Sequence, residues 1–184
     1  TDVTEKNKAE ETLQEKKNKF ENYIDIAGVM LAALDVNGNI SLINKKGCEI
    51  LDCNKDQIVG KNWFKHFLPK NMQVPVLAVF KKLMAGKVKG VEFYENQIIT
   101  TKGKERLISF HNRLLKDKEG KIEGILFSGE DITEKKKTEE ALKESEERYR
   151  DQFDAAVDAI FIADVETGKV VDCNVEACKL VERE

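Results

Sequence analysis

Asp2-Val3-Thr4-Glu5-Lys6 returns about 130 positions later as Asp131-Ile132-Thr133-Glu134-Lys135. The match continues with Glu10-Glu11 and Glu139-Glu140, Leu13 and Leu142, Phe20 and Tyr149, Ala27 and Ala156, and Asp35-Val36 and Asp164-Val165. After a one-residue slip in a turn, Asn44 meets Asn174 and Cys48 meets Cys178. Solenoid units run to about 20–50 residues, so this period describes a whole domain plus a linker. The 184 residues then divide as follows. Residues 1–19 are the tail of a preceding domain with a connecting helix, and 20–131 are a complete domain. Residues 132–150 are a second connecting helix, and 151–184 are the start of a following domain. The sequence begins without Met and stops in mid-pattern, so a longer parent protein is expected.

Both linkers carry helix-forming Glu, Lys, Arg, Ala and Leu, with no Gly or Pro between Thr133 and Tyr149. Thr133 is expected to be the N-cap of the second linker, with Glu134 favourable in the first turn. Apolar positions recur seven apart at Leu13, Phe20 and Ala27 and again at Leu142, Tyr149 and Ala156. The seam is thin, because Thr138 and Ser145 stand where a strong coiled coil would carry Leu or Val. Two readings stay open: a helix that pairs with its copy in a homodimer, and a solvated spacer. The charged fraction of 35% exceeds the roughly 25% of an average domain, and these two stretches account for the excess.

Between the linkers the pattern changes. Val29–Leu34 and Ile40–Ile43 flank the turn Asp35-Val36-Asn37-Gly38-Asn39 and read as a hairpin. Lys45–Leu51 and Lys55–Val59 read as short helices. Val74–Met84 carries apolar residues at helical spacing, with Pro75 tolerable only in a first turn and Gly86 ending it. Val91–Thr101, Glu105–Lys116 and Lys121–Gly129 then read as strands. Two strands, short helices and three strands give α+β: a five-stranded antiparallel sheet with helices on one face. The turn at Lys102-Gly103 fits a two-residue or a four-residue loop, which leaves the register open, with Ile108, Phe110 and Asn112 the preferred inward set. Apolar residues on both parities imply that the outer face is covered too, with a linker helix as the natural cover.

A net charge of −3 gives no broad attraction to nucleic acid, so no such partner is expected. No apolar run approaches the ~20 residues of a membrane span, and the N-terminus lacks a secretory pattern. This stretch is expected to be cytoplasmic without membrane contact, although its parent could be membrane-associated. Cys48, Cys53, Cys173 and Cys178 lack the two-residue spacing of a zinc or redox pair. They are expected to be reduced structural thiols, with a reactive or haem-attached Cys the less favoured alternative. No metal site is expected.

The segment from about Phe20 to Asp131 resembles a PAS sensory domain. The matching pieces are Leu34-Asp35-Val36-Asn37-Gly38-Asn39-Ile40, Asn44, Gly60-Lys61-Asn62-Trp63-Phe64, Tyr94-Glu95-Asn96, Ile98-Ile99-Thr100 and Ile108-Ser109-Phe110-His111-Asn112. Gly129-Glu130-Asp131-Ile132-Thr133-Glu134 is similar to the family's closing Asp-Ile-Thr motif, as is Asp2-Val3-Thr4 for a preceding domain. Glu146-Glu147-Arg148-Tyr149 resembles the entry to a following one. The resemblance implies a sensory module, often dimeric, that relays conformational change to an effector such as a histidine kinase. A ligand-free spacer that mediates dimerisation is the alternative. No catalytic motif is visible, and enzyme activity is not expected in this stretch.

The cofactor is open. Flavin-adduct members of the family carry Gly-x-Asn-Cys-Arg. Here Gly60 and Asn62 match, but Trp63 replaces the reactive Cys. Haem needs an axial ligand, usually His; the resemblance implies that it would sit on the long helix, and Val74–Met84 has none, so b-type haem and a flavin adduct are both disfavoured. Of the two histidines, His66 is expected on a partly buried helix surface and His111 on the outer face of a strand. Phe64, Phe80, Phe93, Phe110, Asn112 and Phe127 are the candidate pocket for a small-molecule ligand, with plain core packing the other reading. Asp131 and Thr133 are the candidate junction that passes a signal to the connecting helix.

Overall fold

In the computed structural model, residues 2–87, 90 and 92–181 are described. They form two compact units, Thr1–Thr133 and Glu134–Glu184. Helix α1 (Asp2–Asp25) leads into strands β1 (Met30–Asp35) and β2 (Ile40–Ile43). Four helices follow: α2 (Lys45–Leu51), α3 (Lys55–Ile58), α4 (Trp63–His66) and α5 (Lys70–Met84). Strands β3 (Phe93–Ile99), β4 (Glu105–Lys116) and β5 (Ile122–Asp131) complete the first unit. The second contains most of α6 (Thr133–Asp154), then β6 (Phe161–Ala163), β7 (Val170–Cys173) and α7 (Val175–Val181).

The five strands of the first unit form one antiparallel sheet in the order β2-β1-β5-β4-β3. The last strand in sequence therefore joins the first hairpin to the second, and β1 and β5 are both central. Alternation decides which side of each strand is buried. Ile98 on β3, Ile108, Phe110 and Asn112 on β4, and Ile125 and Phe127 on β5 face inward. They meet Leu51 of α2, Ile58 of α3, Trp63 and Phe64 of α4, and Phe80 and Leu83 of α5. Each Ile, Leu or Phe among them, fully removed from water, contributes about 1.5–3 kcal/mol. The open register resolves through Ile99 opposite Glu105, with Thr100 N–H donating to the Lys104 carbonyl at 2.8 Å and Gly103 at φ 79° in the turn.

Several expectations change. The long helix starts at Lys70, not Val74. Pro75 therefore lies inside it, where the missing N–H leaves the Asn71 carbonyl without its helical donor. Buried Phe67 and Leu68 anchor the chain just before this start. Phe93 opens β3, while Val91 lies outside the described residues. His66 is exposed, with Nδ1 2.9 Å from the Asn62 carbonyl, rather than partly buried. Helix α1 runs on past residue 19 to Asp25, and α6 past residue 150 to Asp154. In the latter, Tyr149 stacks on buried Phe153 at 5.6 Å. The residues that hold α1 to the first unit lie at its C-terminal end, where Ile24 and Asp25 bond Asn44 and Lys45 and Glu21 pairs with Lys55. These contacts tether the end of the helix to the starts of α2 and α3.

Candidate functional site

Between the sheet and α4–α5 lies a cavity of about 40 Å³. Its lining includes Leu34, Trp63, Phe64, Phe80, Tyr94, Asn96, Phe110, Asn112 and Phe127. The wall is aromatic because three elements aim rings at one point. Trp63, the first residue of α4, meets Phe127 of β5 edge-on at 5.1 Å and Phe110 of β4 at 6.1 Å, and those two meet each other at 5.2 Å. Phe64 packs on Phe80 of α5 at 5.0 Å. Edge-to-face pairs of this kind are worth about 0.5–1.5 kcal/mol beyond their buried area.

A side-chain cap and a glycine place α4. The Asn62 carboxamide accepts the Lys65 N–H at 3.3 Å and donates to the Asn37 carbonyl at 2.9 Å, which ties the helix start to the first hairpin turn. In that turn Gly38 has φ 80°, and a Cβ on it would lie 2.3 Å from the Phe64 ring. Glycine is thus required twice over, for its backbone and for the ring beside it.

Two buried carboxamides give the cavity its polar character. Asn96 is 3% and Asn112 7% exposed, and Asn96 Nδ2 donates to the Gln97 carbonyl at 2.8 Å. A drug-sized pocket has roughly 300–1,000 Å³, whereas a water needs only about 10–15 Å³ on the comparable measure. As it stands the cavity has room for a few waters or a very small ligand, and anything larger requires Phe64, Phe80 or Trp63 to move.

Five of the six pocket residues read from the sequence come together here: Phe64, Phe80, Phe110, Asn112 and Phe127. Phe93 does not. It is 70% exposed and stacks on His111 across the outer face at 4.3 Å. Its parity on β3 is opposite to that of buried Asn96 and Ile98, and that alternation was the available signal. Trp63, Tyr94 and Asn96 belong to the lining but were not singled out for it. His111 is half-buried with a buried Nε2 that has no partner among the described residues. His66 and His111 are both absent from the cavity lining. Among the described residues no group of three or more His, Cys, Asp or Glu side chains is placed to hold a metal ion.

The other candidate residues sit at the end of β5. Asp131 Oδ2 accepts from the Arg106 guanidinium of β4 at 2.5 Å, and Asp131 Oδ1 accepts from the Thr133 amide at 3.1 Å and its hydroxyl at 2.5 Å. Thr133 Oγ1 in turn accepts the Leu107 N–H at 2.8 Å, and the Ile132 N–H donates to the Leu107 carbonyl at 3.0 Å. Thr133 is therefore not the N-cap expected from the sequence. It is the first residue of α6, and its hydroxyl bonds strand β4. The Asp131 carboxylate satisfies a first-turn N–H instead. Burial alone would raise the Asp131 pKa, but the Thr133 and Arg106 hydrogen bonds outweigh it and hold the carboxyl below its ordinary value.

A family model described as PAS fold matches residues 25–137, and one described as PAS domain matches residues 147–183. Sporulation kinase E of Bacillus subtilis (strain 168) is 27% identical over 188 residues, covering 98% of this chain and 23% of the kinase. The chain thus spans less than a quarter of that relative's length. A PAS domain from Colwellia psychrerythraea is similar in structure, with TM-score 0.53 and 15% identity, over 66% of this chain and 98% of that one. A sensory box histidine kinase/response regulator from Burkholderia thailandensis E264 gives TM-score 0.51 and 19% identity, over 72% of this chain and 98% of that one.

Proposed function

Because this chain belongs to the PAS family, we propose that its first unit is a non-catalytic sensor that couples the state of its cavity to helix α6. The observation that carries the reading is the continuity of β4. One strand supplies Phe110 and Asn112 to the cavity wall and Arg106 and Leu107 to the bonds that hold the start of α6. A small molecule that prefers one position of β4 would change those bonds, and only such differential affinity can shift the equilibrium. The ligand class that fits is small and largely apolar, with one or two groups that hydrogen-bond to the carboxamides of Asn96 and Asn112. In this reading the parent is a cytoplasmic or membrane-attached sensor kinase. The exposed Leu13, Phe20, Leu142 and Tyr149 pair with their copies in a homodimer, and no nucleic acid takes part.

The smallness of the cavity, about 40 Å³, favours a second reading, a ligand-free spacer that passes on movement from elsewhere. Native mass spectrometry of the purified chain separates the two. A stoichiometric small molecule that is lost on Asn112→Leu supports the sensor. A chain that stays empty when offered a library of small apolar amides and alcohols removes it in favour of the spacer. None of the described helices is long and apolar enough to cross a membrane.

A further inference from the structure

Cys173 ends strand β7 and Cys178 lies on α7, five positions on. Their sulfurs are 3.2 Å apart. The link between strand and helix is fixed by Asn174, which is fully buried. Its Oδ1 accepts the Ile160 N–H at 2.9 Å and the Ala177 N–H at 3.0 Å, and its Nδ2 donates to the Asp158 carbonyl at 2.9 Å. The two thiols are thus held together by the fold, and a disulfide of about 2.0 Å requires them to approach by only about 1.2 Å. Cys178 is exposed and Cys173 half-buried, and their sulfur contact lies at the surface.

The first unit supplies a contrast. Cys48 and Cys53 are also five apart, and both are half-buried. Cys53 Sγ lies 3.8 Å from the Cys48 carbonyl and also neighbours the Cys48 thiol, and burial first and then that neighbour push the Cys53 thiol up to about 11. The place of Cys173 is taken there by Ile43.

We propose that Cys173 and Cys178 are a covalent modification site, closing to a reversible disulfide when the protein meets a low-molecular-weight disulfide such as oxidised glutathione. The Cys178 thiolate attacks one glutathione sulfur, the glutathione S–S bond breaks, and the first glutathione leaves as thiolate. The Cys173 thiolate then attacks Cys178 Sγ and expels the second. Two electrons pass from the cysteine sulfurs to the glutathione disulfide, and the two thiol protons end on the two released glutathiones. The hydrogen bond with Cys178 raises the Cys173 pKa, so ring closure should accelerate as pH rises from neutral and more thiolate forms. The new bond would form beside Asp172, whose carboxylate accepts the Cys173 N–H at 2.9 Å and pairs with Arg150 of α6 at 3.2 Å.

Trypsin places the two pairs in separate peptides, 170–179 and 47–55. The chain is equilibrated with graded ratios of oxidised to reduced glutathione, quenched in acid, alkylated and digested. Peptide 170–179 should lose the mass of two hydrogens, escape alkylation and recover with dithiothreitol. It should do so at a ratio about tenfold lower than peptide 47–55 requires. In urea, where both pairs have only their equal spacing, the difference should vanish. Cys178→Ser should leave Cys173 open to alkylation. Peptide 170–179 remaining fully alkylated, glutathione adducts without ring closure, equal behaviour of the two peptides in the folded chain, or a preference that persists in urea would each overturn the proposal.

Discussion

Asn44 and Asn174 hold the same place in the two copies of the repeat and share three bonds, to which Asn44 adds one to the Ile24 carbonyl. Each side-chain oxygen accepts the N–H three residues on and an N–H at or just before the start of the first hairpin strand, from Gly47 and Leu31 in one copy and Ala177 and Ile160 in the other. Each amide donates to the segment before that strand, at Val29 and Asp158. The hairpins share a register, Ala32 opposite Ile43 and Phe161 opposite Cys173, with the same irregularity one pair further on. Burial differs. Met30, Ala32, Ala33 and Leu34 of β1 are all buried, whereas Phe161, Ile162 and Ala163 of β6 are all exposed. Strand β1 has β5 along its other edge and the helices over its inner face, while β6 pairs only with β7 among the described residues. Local sequence is enough for the turn, the cap and the pairing. Removal from water depends on strands about 90 residues away.

The copies also exchange volume at one point. A Cβ on Gly47 would lie 2.6 Å from Ile43 Cγ1 and 3.0 Å from Met30. The second copy has Ala177 at the first position and Cys173 at the second, so an added methyl faces a smaller side chain.

The largest test of the contrast is Phe80→Ala. Phe80 is 6% exposed and packs on Phe64 in the first unit. Its loss should destabilise that unit by about 3–5 kcal/mol, measured by urea unfolding followed through Trp63, the chain's one tryptophan. A loss under about 1 kcal/mol would mean that the site is hollow enough to collapse around the change. Next is Asn44→Ala, which strands two N–H groups and two carbonyls and should cost about 2–4 kcal/mol by the same probe. Asn174→Ala should leave the Trp63 transition where it is. A shift equal to that of Asn44→Ala would show that the two units unfold as one.

Gly47→Ala should cost about 1–3 kcal/mol through overpacking. Importing the second copy's solution, Ile43→Cys with Gly47→Ala, should cost less than the sum of the two single changes. Simple additivity would show that the volume exchange is accidental. Thr133→Ala should cost about 1 kcal/mol while leaving the domain folded. If β4 is the coupling element, the variant should also speed amide exchange at Leu107 and Ile132; unchanged exchange would count against the junction.

The smallest effect concerns acid. The Asp131 carboxyl is held low by Thr133 and Arg106 against the cost of burial, and Asp172 is lowered first by its bond from Arg150. A depressed carboxylate contributes stability that is complete above its ordinary value of about 3.9 and is lost as pH falls through the lower folded one. Salt near 1 M should return Asp172, the more exposed of the two, toward its ordinary value and move Asp131 much less, as read by carbon NMR titration. Equal movement would mean that the junction is as open to solvent as a surface pair.

Much of this protein was legible in its residues because the signals were local. The duplicated motifs marked the repeat, the Asp35–Asn39 turn marked the hairpin, and alternation made Ile108, Phe110 and Asn112 the preferred inward set while the register stayed open. Phe93 was misplaced because its aromatic character was weighed above its parity, which is opposite to that of Asn96 and Ile98 on the same strand. The start of α5 was misplaced because a proline argues for a first turn, while the anchor that overrode it is tertiary, the burial of Phe67 and Leu68. Thr133 looked like a cap because its neighbours in sequence are helical. Its hydroxyl instead bonds Leu107, 26 positions back. The sequence by itself determined where the chain turns, which segments are helix or strand, and that a domain repeats. The tertiary structure alone decided which face of each strand is dry, how small the cavity is, and which side chains bond Asp131 and Thr133 to β4, because those depend on partners that only folding brings within bonding distance.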